Sequence, residues 1–280
     1  MPTFTTPGPI DVNLSLVVAN VRITAGERAT TEVEVRPGSS SSSSTKMAEE
    51  TQVEFANGQL RIRTPKNLTR WLGSKTGRIE VEIALPAGSR LDGDNGAGDL
   101  DAEGPLGETR YKTGFGAIRL GDTGKARLTT GAGDITVARV AGDAEISTGT
   151  GQLHVGAVEG VATVKNSSGE TWVGDAGGAL RANSANGDIA VDRARGGAAL
   201  KTANGSLRVL EAVRGRVSLE TAAGSLEVGI PTGTAAWLDL DVKNGAVRNS
   251  LGGSSGPAEG EETVEVRART YFGDIVIHRA

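Results

Sequence analysis

The chain is predicted to be all-β: a single-stranded β-solenoid, or β-helix, of about ten rungs with a repeat of about 18 residues and an N-terminal antiparallel β cap. Three observations predict it. A glycine-centred signature, written Thr-Gly-Ala-Gly-Asp at Thr130–Asp134, returns at Gly98, Gly116, Gly133, Gly151, Gly169, Gly187, Gly205, Gly224, Gly245 and Gly273, in steps of 17 to 19 residues as far as Gly224 and in longer steps beyond. Two residues after each of these register glycines stands an aliphatic residue, Thr171 excepted. Two further on comes a second, Asn249 excepted, as in Ile135 and Val137 or Ile189 and Val191, with mixed residues between. That period-two alternation is a strand with one face inward. Glycine supplies 41 of 280 residues, about twice the usual share, as corners of a coiled backbone require.

Residues 1–90 carry longer alternating segments: Val12–Leu16, Val21–Ile23, Val33–Val35, Val53–Phe55, Leu60–Ile62 and Ile79–Ile83. They are expected to be antiparallel strands of the cap, merging into the first rungs. The serine run Ser39–Ser44, after Pro37-Gly38, is expected to be a solvated flexible loop. Lys66–Gly73 interrupts the strands, and its Trp71 and Leu72 either plug the cap or face a partner.

Residues 91–249 form the regular solenoid. A second strand precedes each register glycine, as in Asp143–Thr148, Gly197–Thr202 and Arg216–Thr221, and small corners such as Val140-Ala141-Gly142 separate the two. Two faces per rung and three are both compatible with this spacing. Three residues before the glycines runs a polar column: Asn95, Thr113, Thr130, Thr148, Asn166, Ser184, Thr202, Thr221 and Thr270. On strands about 4.8 Å apart it reads as a hydrogen-bonded ladder that sets the register; the functional alternative is a row of ligands for a sugar or ice-like surface. A few aliphatic side chains per rung, at about 1.5–3 kcal/mol each, do not offset the ordering of 18 residues at about 1–2 kcal/mol apiece. No rung stands alone, so stability comes from stacking. In residues 250–280 a mobile inserted loop, Ser250–Glu262, precedes the strand Thr263–Arg269, and a final repeat, Gly273–Ile277, closes the C-terminal end.

Composition closes several function classes. A formal charge of −4 gives no basic field for nucleic acid. The absence of cysteine removes disulfides, thiolate metal sites and cysteine nucleophiles. No basic N-terminal region precedes an apolar stretch, and nowhere are there 18 uninterrupted apolar residues, so a cytoplasmic protein without direct membrane insertion is expected.

No catalytic, metal or cofactor-binding residue is assigned. Asp99, Asp134, Asp188 and Asp274 follow register glycines, but calcium-binding nonapeptides need the aspartate two residues on and at a period of nine, so these read as turn residues. The Gly-x-Gly pieces open no helix, and the two histidines, His154 and His278, are far apart in sequence. What remains is an outward column. His154 and Trp172 occupy equivalent places on consecutive rungs, flanked by Arg119 and Arg208, and these four are the candidate interaction face. Alternatively Trp172 lies flat over small neighbouring side chains.

The chain resembles the bacterial DUF4097 family in its actinobacterial form, a family also described as “putative adhesin” or Toastrack domains. The resemblance rests on Thr130–Val137, Val164–Gly174, Ala235–Leu240 and Thr263–Ile275, and it runs over nearly the whole chain. Membership implies a β-solenoid without established activity and a link, in some relatives, to envelope-stress systems. The expected function is a non-catalytic scaffold for binding an unidentified protein. A surface or envelope adhesin recognising glycan is the first alternative, and a polysaccharide-acting β-helix enzyme the second.

Overall fold

A computed structural model describes residues 2–65, 77–252 and 262–280, divided between two compact units, Met1–Arg139 and Val140–Ala280. Lys66–Gly73, with Trp71 and Leu72, lies outside the described residues, as does most of Ser250–Glu262.

The first unit holds β1 (Thr3–Thr5), β2 (Asp11–Gly26), β3 (Thr30–Pro37), α1 (Ser42–Glu50), β4 (Gln52–Ala56), β5 (Gln59–Arg63), β6 (Ile79–Pro86), β7 (Arg90–Ala97), β8 (Leu100–Glu103), β9 (Thr109–Phe115), β10 (Ile118–Thr123), β11 (Ala126–Ala132) and β12 (Ile135–Val140), at whose end the division falls. Each rung contributes one strand to each of two parallel sheets, which settles two faces rather than three. The pairs β5/β6, β2, β7/β8, β9/β10 and β11/β12 follow one another in space, with β2 bending to serve both sheets.

Two expectations about the cap are corrected here. Val12–Leu16 and Val21–Ile23 are not antiparallel cap strands; they are halves of the one strand β2, parallel to its neighbours and inserted between β5/β6 and β7/β8. The antiparallel cap consists of β4 on β5, β3 on β6 and β1 on β3, with Phe4 stacked on Phe55 at 5.0 Å. The serine run is not a free loop. Ser41 caps α1 by accepting a hydrogen bond from the Ser44 amide at 3.2 Å, Met47 is fully buried, and Ser44 Oγ accepts from the Arg78 amide at 3.0 Å. The cap and one buried apolar anchor hold a helix that serine propensity alone does not favour.

The second unit holds β13 (Ala144–Thr150), β14 (Leu153–Val158), β15 (Ala162–Ser168), β16 (Thr171–Ala176), β17 (Leu180–Asn186), β18 (Ile189–Ala194), β19 (Ala198–Asn204), β20 (Leu207–Ala212), β21 (Gly215–Ala223), β22 (Leu226–Ile230), β23 (Thr234–Asn244), β24 (Val247–Asn249), β25 (Glu262–Phe272) and β26 (Ile275–Arg279). Odd and even strands build separate parallel sheets, each pairing with the strand two further along as far as β21 and β22. There the order changes. β25/β26 stacks directly on β21/β22, and β23/β24 stacks on β25/β26. The repeat at Gly273 therefore does not close the end, contrary to expectation; the earlier repeat at Gly245 is outermost.

The corners explain the repeat. All ten register glycines have φ between +124° and +154°, a region that side chains avoid. At Gly205 an added Cβ would lie 2.2 Å from the carbonyl oxygen of Gly187 in the neighbouring rung, so backbone sits directly on backbone. The polar column serves that contact. Thr130, Thr221 and Thr270 donate to the carbonyls of Gly116, Gly205 and Gly224 at 3.0 Å, and Asn95 donates to Ala19 at 2.7 Å. These side chains are buried, so they are an internal ladder and not a ligand surface. Asn166 reaches both Gly151 and Gly169 at 3.0 Å. The Ser184 hydroxyl, at the next place in the column, is buried without a partner among the described residues.

Between the sheets, inward residues interdigitate by size. Tyr111, 1% exposed, packs over Gly93, where a Cβ would meet its ring at 2.5 Å. Its hydroxyl has no well-formed hydrogen bond among the described residues. Burial pushes its pKa up to about 12, partly offset by the Asn95 amide beside it, while Asp94 and Asp99 add to the rise.

Two predictions follow from this packing. Ile135, fully buried on β12, and its exposed neighbour Thr136 test the inward–outward assignment. Ile135→Asp should cost about 3 kcal/mol or more by burying an unpaired charge, and Thr136→Asp less than about 0.5 kcal/mol; equal thermal shifts contradict the alternation. For Tyr111, the fold favours the neutral phenol, so its contribution is whole below pH 10 and is lost as pH rises toward 12, by at most about 3 kcal/mol. Tyr111→Phe should remove that part of the alkaline slope in denaturant titrations and leave neutral-pH stability equal or higher. Parallel wild-type and variant curves from pH 9 to 11.5 would show that the phenol contributes nothing.

Candidate interaction surface

The outward face of the even-numbered sheet in the second unit presents one straight column: His154, Trp172, Ala190, Arg208 and Glu227, paired in register on β14, β16, β18, β20 and β22. The period that builds the core also aligns these outward residues. His154 stacks on Trp172 with ring centroids 4.0 Å apart and planes 23° from parallel. The indole Nε1 donates to Asp192 Oδ1 at 3.1 Å. The ring also extends over Gly174, where a Cβ would come within 2.9 Å of it. The ring thus covers a glycine of its own strand and stays half-buried.

Arg208 Nε lies 2.6 Å from Glu227 Oε2, and His278 Nε2 lies 3.2 Å from Glu227 Oε1. A groove of about 310 Å³ opens over Ala190 between Trp172 and Arg208. Three of the four residues expected on the strip therefore share a column. Arg119 lies in the first unit, on β10, with Nη1 3.4 Å from Asp101 Oδ1.

The aspartates after the register glycines bind backbone. Asp99, Asp188 and Asp274 each accept the amide of the residue after the next rung's glycine, from Ala117, Ser206 and Ala246, at 2.7–3.0 Å. Among the described residues, no three His, Asp or Glu side chains converge as metal ligands, and no helix is long and apolar enough to cross a membrane.

A second feature escaped the sequence reading. On the outermost rung, β23 hydrogen-bonds β25 on one side and, among the described residues, no strand on the other. Its Trp237 is 62% exposed, and inward positions Ala236, Leu238, Leu240 and Val242 remain half-exposed, with no rung over them among the described residues. Trp237 borders a concavity of about 1120 Å³ with Arg214, Arg216, Glu265 and Arg267. Arg216, hydrogen-bonded at 2.8 Å, holds the Glu265 carboxyl below the usual carboxylate range. The signal for Trp237 was an outward tryptophan in a strand that breaks the regular spacing.

A family model described as Toastrack DUF4097 matches residues 10–278. The chain belongs to this family. The Toastrack chain is also similar to solved structures described as a “putative adhesin” from Parabacteroides merdae (11% identity, 100% of this chain and 95% of that one, TM-score 0.44) and another from Parabacteroides distasonis (14%, 100% and 95%, 0.35). A third, a “putative cell adhesion protein” from Clostridium sporogenes, matches at 13%, 100% and 98%, with a TM-score of 0.23. No curated protein matches the sequence. Identities this low carry no site residue from those structures to this Toastrack chain.

Trp172→Ala should remove the stack on His154, the cover over Gly174 and the bond to Asp192. A partly buried aromatic pair with one hydrogen bond is worth about 1–2 kcal/mol, so the melting temperature should fall by a few degrees with the fold intact. A collapse of the cooperative transition would make Trp172 a core residue of the unit.

Proposed function

We propose that the protein is a non-catalytic β-solenoid scaffold that binds other proteins, with the outermost rung of the second unit as its main docking edge. One observation carries this reading: the eleven-residue β23 offers a row of backbone donors and acceptors beside an exposed Trp237 and half-exposed aliphatic side chains. Edges of this kind are normally shortened, charged or covered, because they accept further strands. Tryptophan and arginine, which border the adjoining concavity, are frequent anchors of protein interfaces, and strand addition to an open edge is an established mode of peptide recognition. On this face Arg216 pairs with Glu265 and Arg267 with Asp239 across rungs, and Arg267 also pairs with Glu265 along β25, which supports a binding role for these groups over general acid–base chemistry.

The test is cross-linking mass spectrometry on the wild type and on a Trp237→Lys/Leu240→Lys variant, both shown to be folded by circular dichroism and melting. The wild type should retain a defined set of proteins, with cross-links mapping to 234–244, and the variant should lose that set. Retention of no protein above an unrelated β-solenoid control, or the same set on both proteins, contradicts the proposal.

A further inference from the structure

The stack on the outward column is interrupted in a way that defines a ligand. His154 and Trp172 are in register on adjacent parallel strands with their rings 4.0 Å apart, so the stack runs along the direction in which rungs accumulate. The next position is Ala190, with no ring, and the one after is Arg208, whose guanidinium is anchored by Glu227. The backbones of Trp172 and Arg208 are therefore two strand spacings apart, about 9.6 Å. That interval holds one planar group near the spacing of the His154–Trp172 pair and excludes a second. The groove over Ala190 measures about 310 Å³, at the bottom of the range of ligand sites, which suits a single ring better than a nucleotide or an oligosaccharide. The indole N–H is already satisfied by Asp192, leaving the ring face as the contact.

Charge narrows the ligand further. Glu170 and Asp188 rim the groove, Asp192 and Glu227 adjoin it, and the cation Arg208 is paired with Glu227. Such a rim repels phosphates and carboxylates and attracts cations.

We propose that the slot between Trp172 and Arg208 takes one aromatic side chain from a basic peptide segment of a protein partner. The ring stacks on the Trp172 face and under the Arg208 guanidinium, continuing the column over Ala190, while flanking lysines or arginines meet Glu170 and Asp188. This rests on the protein-binding reading and adds a second contact, on a different sheet from β23, with a stated chemistry.

The probe is the peptide N-acetyl-Lys-Tyr-Lys-amide, followed through the Trp172 indole N–H resonance, which a Trp172→Phe spectrum assigns. Controls are N-acetyl-Lys-Leu-Lys-amide and chitotriose. The tyrosine peptide should shift the resonance saturably. Ala190→Phe, which fills the slot from within, should weaken that binding by about tenfold or more while the melting temperature holds or rises. Ala190→Leu, a smaller plug, runs in parallel, so that a folding defect in the first variant leaves the second to decide. Equal binding of the leucine peptide, tighter binding of chitotriose, or unchanged affinity in the folded plugged variants would overturn the proposal. Such a failure leaves retention of proteins at β23 intact, whereas the same retained set on the wild type and the Trp237→Lys/Leu240→Lys variant, with tyrosine-peptide binding preserved, would count against the docking edge alone.

Discussion

Everything regular in this molecule depends on backbone lying directly on backbone at the register glycines. Where Gly133 meets Gly116, a Cβ would lie 2.0 Å from the carbonyl oxygen beneath it, so the contact exists only because Gly133 has no side chain. That approach withdraws the carbonyl from water, and the polar column three residues earlier restores its hydrogen bond, as Thr130 does for Gly116. The two devices act together: glycine permits the approach and threonine or asparagine satisfies what the approach buries. Once each corner is pinned on the one below, the strands on either side have no freedom of register, and both the core and the outward face fall into straight columns.

Straight columns turn the surface into a series of one-dimensional patterns. Several are simple ion-pair ladders, such as Arg193 with Glu211 at 2.5 Å and Lys201 with Glu220 at 2.9 Å; exposed pairs of this kind contribute little individually. The column through Trp172 differs because planar groups occupy it on both sides of an alanine. A gap in an otherwise filled row is a more specific feature than exposure alone, since single exposed apolar residues are ordinary on any protein surface.

The two units end their stacks differently, though each inserts a rung out of chain order. In the first, β2 is paired on both sides, by β5/β6 and by β7/β8, and the antiparallel strands β1, β3 and β4 with α1 finish the structure beyond. In the second, β25/β26 is the inserted rung, and β23/β24 is left as the last one, with no covering strand among the described residues. Aliphatic side chains that are buried in every interior rung are half-exposed there, which is why Trp237 and its neighbours form a surface at all.

The sequence by itself determined the rung: the glycine register, the inward aliphatic pair, the polar ladder and the alignment of His154, Trp172 and Arg208. All of these follow from a short period acting through local geometry, because a residue's face depends only on its distance from the corner. It did not determine which rung lies next to which. Val12–Leu16 could pair with any strand of the same pattern, and closing a longer connection costs little extra entropy, so the insertion of β2 and of β25/β26 was decided by tertiary packing. The helix after Pro37 was hidden for a related reason: its main apolar anchor, Met47, matters only once a pocket exists to bury it. Trp237 became a site residue only through the rung order that left β23 outermost, and the slot over Ala190 only through the placement of the Trp172 ring and the Arg208 guanidinium on either side of it. Period and propensity are properties of the chain, whereas exposure and the spacing of side-chain planes are properties of the stack.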